Sequence, residues 1–447
     1  MYDAHSNITD VTKDGVLQYH YGYDMMNQLV SVDDKLNGKV YNYTYDAGGN
    51  LISETVTDSN GITSNAYEYN NSNWGDVLTS YNGQNITYDE IGNPLTYRDG
   101  MSMTWKNGRQ LATLTNGDTS ISYGYDSDSV RTTKTVNGVK YTYAYLNGQL
   151  LYETRGDAKF YYSYDANGIL YNVRYTLTDG GTEYSYYYTH NSRGDIVGIY
   201  NGAGELKAHY EYDAWGNVIS ITDNNGNAIT NPNHIGNLNP FRYRGYYQDT
   251  ETGLYYLMSR YYDPITHRFI NADGYFQSGT SILDANTFAY CGNNPVLNVD
   301  PLGTCKVPNY TSAGTYIGHT WKIKESVPGV PGFCNVCKGY GSNAPSNTSH
   351  SFVISSYTTP STKKQDYNTW NKVADSFGAI FCSLEVDFDA GFGFGFDVTD
   401  IFSIKAMGKH TLISVHFDEQ GFSFGKTDSV EVSAGAVSYT HLRAHET

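Results

Sequence analysis

The stretch YNYTYDAGGNLISETV, Tyr41–Val56, contains the plan of most of the chain. Ahead of Asp46 the tyrosines alternate at 41, 43 and 45, the period of a strand with one buried face. Asp46 begins a turn by bonding its side chain to backbone two residues on. Glycine supplies the positive φ that the turn needs. A second strand, NLISETV, follows. The unit is therefore a β-hairpin whose aromatic face can be buried only against its neighbours.

The unit recurs as YDMMNQL at Tyr23, YDEIGNP at Tyr88, YDSDSVR at Tyr125, YLNGQLL at Tyr145, YDANGIL at Tyr164 and YDAWGNV at Tyr212. A degenerate copy, YTHNSRGDIVG, starts at Tyr188, and a weaker unit lies around Trp105. Neighbouring copies are mostly about 20 residues apart, the period of a stacked or wound repeat architecture. The 45 Tyr and 46 Gly among 447 residues suit strands and turns rather than helices.

Charge and aromatic usage change near residue 303. Residues 1–303 hold 18 Lys+Arg against 33 Asp+Glu, and residues 304–447 hold 11 against 13. The long first part is an acidic surface that repels nucleic acid and anionic membranes, so no nucleic acid is expected on it. The near-neutral remainder argues only weakly against a nuclease. Residues 1–303 have 39 Tyr and 5 Phe; the remainder has 6 Tyr and 12 Phe. No apolar run reaches the length of a transmembrane helix. The opening MYDAHSNIT reads as the middle of a repeat, so the chain is expected to be a fragment whose export signal lies upstream. The closing SYTHLRAHET, residues 438–447, matches nothing before it and reads as a non-native tail.

From Pro240 a different block begins, with GLYYLMSRYYDPITHRFINAD and AYCGNNPVLNVDPLG as its most specific parts. Together with the Tyr-Asp units it resembles the RHS/YD-repeat family and that family's RHS-associated core, over roughly residues 1–303. The resemblance implies a mainly β fold: YD hairpins over 1–239 wound into a cocoon-like shell, and a core at 240–304 that plugs one end. It implies a C-terminal passenger enclosed by the shell, here 305–437. It also implies that the core cuts its own chain after the Asp-Pro-x-Gly-x motif, with Asp273 and Asp300 as an aspartic-type pair and Thr304–Cys305 as the scissile bond. Two carboxylates forced together cannot both ionise, so one stays protonated as the acid while the other activates water. This chain has Thr304 where the family has Leu, and Ala272 and Gly274 where Arg and Pro are frequent. The family's usual Gly is replaced by His267, which reads as a surface turn residue. Cys291 reads as a small buried hydrophobe.

The role implied is that of a secreted or cell-surface polymorphic toxin that sequesters an effector, with a target bacterial cell and a cognate immunity protein as partners. A wall-associated adhesive protein with a binding tip is the alternative.

In 305–437, Cys334-x-x-Cys337 followed by Lys-Gly-Tyr-Gly has the spacing of a zinc knuckle. Cys305, Cys382, His319 and His350 are candidates to complete four structural-zinc ligands; a disulfide between Cys334 and Cys337, or two free thiols, fits the same spacing. Trp370, Val373, Ala374, Phe377 and Phe381 share one face of a short helix. The Phe-Gly alternation from Phe388 to Phe396 opens an antiparallel meander of four or five strands, giving a small α+β domain. No nucleophile–base pair or phosphate loop appears there.

Overall fold

The computed structural model describes residues 1–274, 283, 285–304 and 306–308, and the backbone of five strands between 386 and 427. The chain divides into two compact units, Met1–Gly341 and Ser342–Thr447.

In the first unit the repeats form two antiparallel sheets in which each strand pairs with its sequence neighbours. One has eight strands, from Asp10–Lys13 to Gln84–Asn85. The other has fourteen, from Thr87–Tyr88 to Val218–Thr222. This is the topology that consecutive hairpins dictate.

The turn chemistry is as expected, with an added bond. The Asp46 carboxylate accepts from the backbone of Gly48 and also of Asn50, each at 2.8 Å. Its second oxygen accepts from the Asn50 side chain at 2.9 Å. Asp24, Asp89, Asp126, Asp165 and Asp213 repeat the two backbone bonds. Gly49, in the left-handed region at φ +79, closes the turn, because a side chain there would be strained.

Two features recur that the repeat pattern did not announce. The first is a bulge. Tyr45 opposes Leu51 but Thr44 opposes Ser53, so Ile52 is left over. The same shift falls at Tyr23, Tyr125, Tyr145, Tyr164, His190 and Tyr212. A bulge raises local twist, so one per hairpin bends the sheet steadily in one sense. The second is a hydroxyl clamp. Tyr45 donates its hydroxyl to the carbonyl of Leu29, one hairpin earlier, at 2.8 Å. Tyr23 reaches Ile8, Tyr69 reaches Leu51, Tyr164 reaches Leu150 and Tyr212 reaches Ile196 in the same way. The clamp explains why this position is Tyr rather than Phe. It also reveals a unit at Tyr69 within the long gap between Tyr45 and Tyr88.

The block from residue 240 is buried almost throughout. Its short strands Tyr247–Gln248, Tyr255–Leu257, Arg260–Asp263 and Arg268–Phe269 make a four-stranded sheet in the same hydrophobic core as the inward tyrosines of the repeats. Arg98 grips Asp263 with Nε at 2.7 Å and Nη2 at 2.8 Å. Asp249 accepts from Arg131 at 2.6 Å and Lys134 at 2.9 Å. The Gly-Asn-Asn-Pro segment docks on the repeat turns: Asn293 donates to Gln28 and to the Gly49 carbonyl, and Asn294 to Asn7 and the Asn27 carbonyl.

His267 corrects a sequence expectation. It occupies a turn, at φ +62, which explains a preference for Gly there. It is not on the surface: it is 4% exposed and stacks on Trp215 with ring centroids 4.7 Å apart. Burial holds its pKa below the usual imidazole value. Cys291 is buried, as expected, and burial pushes its thiol up.

In the second unit, Val386–Phe388, Phe392–Phe396 and Phe402–Ala406 form one antiparallel sheet, and Leu412–Asp418 pairs with Gly421–Thr427 in another. Five strands are described where a meander of four or five was expected, and they fall into two sheets rather than one. Cys334, Cys337 and the helix over 370–381 lie outside the described residues. No helix among the described residues is long and apolar enough to cross a membrane.

Candidate functional site

The junction after the core block is a hairpin. Asn298–Val299 pairs antiparallel with Val307–Pro308, with Val299 opposite Val307. Residues 300–304 and 306 lie in its loop, and the predicted cut follows Thr304. Thr304 is described; Cys305 is not.

The loop is fastened from both sides. Asp300 accepts the Thr304 backbone N–H on Oδ1 at 3.0 Å, closing an Asp-initiated turn of the kind used in the repeats. The Asp300 N–H is accepted by the Tyr246 hydroxyl at 3.0 Å. The single Ser259 hydroxyl hydrogen is shared between the carbonyls of Leu302, 2.6 Å from Oγ, and Gly303, 2.8 Å from it. Gly303 lies at φ +67, and a Cβ there would stand 2.7 Å from the Leu257 carbonyl oxygen, so only glycine fits.

Asp273 comes from the far end of the core block, where its N–H donates to the Thr287 carbonyl at 2.9 Å. The structure brings it to Asp300 through Arg260. One nitrogen, Nη2, lies 3.1 Å from Asp273 Oδ2 and 3.4 Å from Asp300 Oδ2. The two carboxylates are therefore separated by no more than the sum of those distances. All three side chains are nearly sealed from solvent, at 7%, 3% and 5% exposure for Asp273, Asp300 and Arg260. The rest of the guanidinium is also engaged. Nε donates to the Gly303 carbonyl, Nη1 donates to the Thr287 carbonyl at 2.9 Å, and the plane lies 3.5 Å from the Phe269 ring centroid. Burial lowers the Arg260 pKa, with Asp273 and then Asp300 opposing it; guanidinium remains charged regardless.

Both sequence-predicted carboxylates thus converge beside the predicted bond, but as a triad with a cation rather than as a bare pair. Sequence reading missed Arg260 and Ser259, although both lie in the SRYYDP run that carries the family resemblance. It also missed Arg109. From the turn before Gln110–Asn116, Arg109 donates to the carbonyls of Ile91 at 2.9 Å and Ala272 at 2.7 Å. A cation from a repeat therefore stands beside Asp273, where the family often carries Arg in the adjacent position.

Among known proteins, the tRNA3(Ser)-specific nuclease WapA of Bacillus spizizenii is 39% identical over 290 residues, 63% of this chain and 12% of that protein. The tRNA nuclease WapA of Bacillus subtilis is 38% identical over 295 residues, with the same coverage. Double-stranded DNA deaminase toxin A of Burkholderia cenocepacia is 26% identical over 365 residues, 74% of this chain and 23% of its own. The chain thus spans about an eighth of the length of the WapA proteins. Among solved structures, the TcdB2-TccC3-TEV crystal structure superposes with a TM-score of 0.52 at 19% identity, over 68% of this chain and 17% of that one. The Photorhabdus luminescens Tc holotoxin pore gives 0.53 at 17% identity, over 71% and 17%. These likenesses are of fold. The profile of the Teneurin YD-shell family matches residues 1–296, and the chain belongs to that family of YD-repeat proteins.

Proposed function

We propose that the chain is part of a secreted or cell-surface RHS toxin, whose YD shell carries a C-terminal effector (305–437) and releases it by cutting between Thr304 and Cys305. The observation that carries the cut is the convergence of Asp273 and Asp300 on Arg260, at a hairpin loop whose carbonyls are already held. In the reaction, one carboxyl holds a proton and polarises the Thr304 carbonyl, and the other takes a proton from water. The water oxygen bonds to the Thr304 carbon, the C–N bond to Cys305 breaks, and the Cys305 nitrogen leaves with a proton as an amine. One water is consumed. Among the described residues, the strands 298–299 and 307–308 on the two sides of the cut share a ladder of only two residues, which is a weak tether.

The toxin role is supported by the relatives, which are named as nucleases and as a deaminase toxin. Those names make nucleic acid the first substrate class to assay for the effector, and a cognate immunity protein the partner expected in the producing cell. The intact mass of the purified full chain tests the cut. The expected result is two fragments meeting at Thr304–Cys305 in the wild type and one uncut species in Asp300→Asn. A wild type that stays whole at every pH from 5 to 8.5 rejects the reading. Expression of 305–437 in a naive bacterium tests the effector: growth arrest is expected, whereas cell or glycan binding without arrest assigns an adhesive tip instead.

A further inference from the structure

In an extended chain successive carbonyls point to opposite sides, so one side chain does not reach two of them in a row. At the junction one does. Gly303, at φ +67, turns the chain so that the carbonyls of Leu302 and Gly303 face the same way, and both lie within hydrogen-bond reach of Ser259 Oγ. The Ser259 backbone N–H reaches the Leu302 carbonyl as well, at 3.2 Å. The next backbone group, the Thr304 N–H, is held by Asp300. The chain is thus pinned at successive points immediately ahead of the predicted bond. We propose that Ser259 is a positioning residue of the cut: by holding two consecutive carbonyls it sets the direction in which the chain enters Thr304, and so presents the Thr304 carbonyl to Asp273 and Asp300. This inference rests on the self-cleavage reading above and adds a residue to it.

The place of Ser259 separates this role from support of the fold. It stands in the turn between Tyr255–Leu257 and Arg260–Asp263, after Met258 at φ +60, and it is exposed while both strands are buried. Removing its hydroxyl opens no cavity in the core. Water can take over an exposed carbonyl that a hydroxyl gives up, at little net cost in stability. What water does not supply is a fixed direction, and a small misplacement of a reacting group is costly in rate. The Gly303 carbonyl also accepts from Arg260 Nε, so two adjacent residues of the core block refer the loop to the same frame.

The test follows the full chain from its synthesis: a short labelling pulse in cell-free translation, a chase, and the uncut fraction measured at intervals. Ser259→Ala is expected to cut more slowly than the wild type by about tenfold or more. Ser259→Thr keeps the hydroxyl and is expected to cut within about threefold of the wild type, a rescue that a merely space-filling residue does not give. Thr250→Ala removes another exposed hydroxyl of the core block, one that bonds to Glu251, and should cut like the wild type. Stability is read separately, by urea unfolding of purified Asp300→Asn chains with and without Ser259→Ala, where equal midpoints are expected. Ser259→Ala cutting at the wild-type rate, Ser259→Thr as slow as Ser259→Ala, or a urea midpoint lowered by Ser259→Ala overturns the inference and leaves the cleavage reading intact. A wild type that is never cut, or cutting that survives Asp300→Asn, overturns both.

Discussion

Asp213→Asn should stabilise this protein, and only above acid pH. Asp213 opens the YDAWGNV turn and accepts backbone N–H groups from Trp215 at 2.9 Å and Asn217 at 3.0 Å. In the exposed next turn, comparable bonds hold Asp223 below its usual range. At Asp213 burial wins, reinforced by the charge of Glu54, and the pKa is pushed from 3.8 up to about 7. The sign follows from proton counting. Between those two values the folded chain keeps a proton that the unfolded chain has released, so stability falls as pH rises from about 4 to 7 and is level above. A gap of roughly three units at about 1.4 kcal/mol each makes the penalty about 4 kcal/mol above pH 7. Asparagine removes the charge and keeps the acceptor. The chain already uses it so: Asn191 accepts from Arg193 and Asp195, and Asn201 from Ala203 and Glu205. Urea unfolding of the full chain, followed by tryptophan fluorescence, measures the effect. At pH 8 the variant should gain a few kcal/mol, and at pH 4.5 nothing. Parallel stability–pH curves for wild type and variant, or an equal loss at both pH values, would refute the argument.

Two further outcomes follow from the packing. Tyr45→Phe removes one hydroxyl clamp and leaves the Leu29 carbonyl without it, at a cost of about 1 kcal/mol, whereas exposed Tyr187→Phe should stay within about 0.5 kcal/mol of the wild type in the same urea titration. Asp249→Ala leaves Arg131 in the core without its carboxylate and Lys134 with Glu251 alone, and should cost about 3–5 kcal/mol. Burial works against ionisation of Asp249, but Arg131 and Lys134 outweigh it and hold the carboxyl below its usual range. Its contribution is therefore present above the unfolded pKa and lost as pH falls through the lower folded value, so the gap between wild type and Asp249→Ala should narrow in acid; a gap independent of pH counts against the ion pairs.

What could be read from the sequence was what one hairpin determines by itself. Alternating tyrosines, an Asp at the turn and a Gly of positive φ are local rules, and each held at Tyr45–Leu51. The bulge at Ile52 was not legible, because a two-residue period looks the same with or without one extra residue beyond the turn. Nor was the Tyr45 hydroxyl bond, which joins positions that only the curl of the sheet brings together. The candidate site divides in the same way. Asp273 and Asp300 stood out because the family motif marks them. Arg260 did not, because an Arg beside two tyrosines in a short strand carries no sign of what it faces. His267 misled for a related reason: turns are usually exposed, but this turn is inside, against Trp215.

The buried charges address a difficulty that a repeat protein creates for itself. Successive hairpins offer nearly the same inner face, a clamp Tyr opposite a Leu or Ile. An apolar plug seated on such a surface could shift by one repeat at little cost in buried area. The repeats are not identical where the core block touches them. At the position held by Leu29, Leu51, Leu170 and Ile196 in their units, the YDSDSVR unit has Arg131, fully buried and paired with Asp249. Farther back in the chain Arg98 meets Asp263, and farther on Glu153 accepts from the Tyr247 hydroxyl. A shift by one unit would set Asp249 against leucine and leave Arg131, Arg98 and Asp263 unpaired in the core, a cost of several kcal/mol for each broken pair. Buried ion pairs are poor sources of net stability, but they penalise every seating except one. That is what the junction requires, because Arg260 and Ser259 can hold Gly303, and Asp273 can meet Asp300, only when the core block sits in this register.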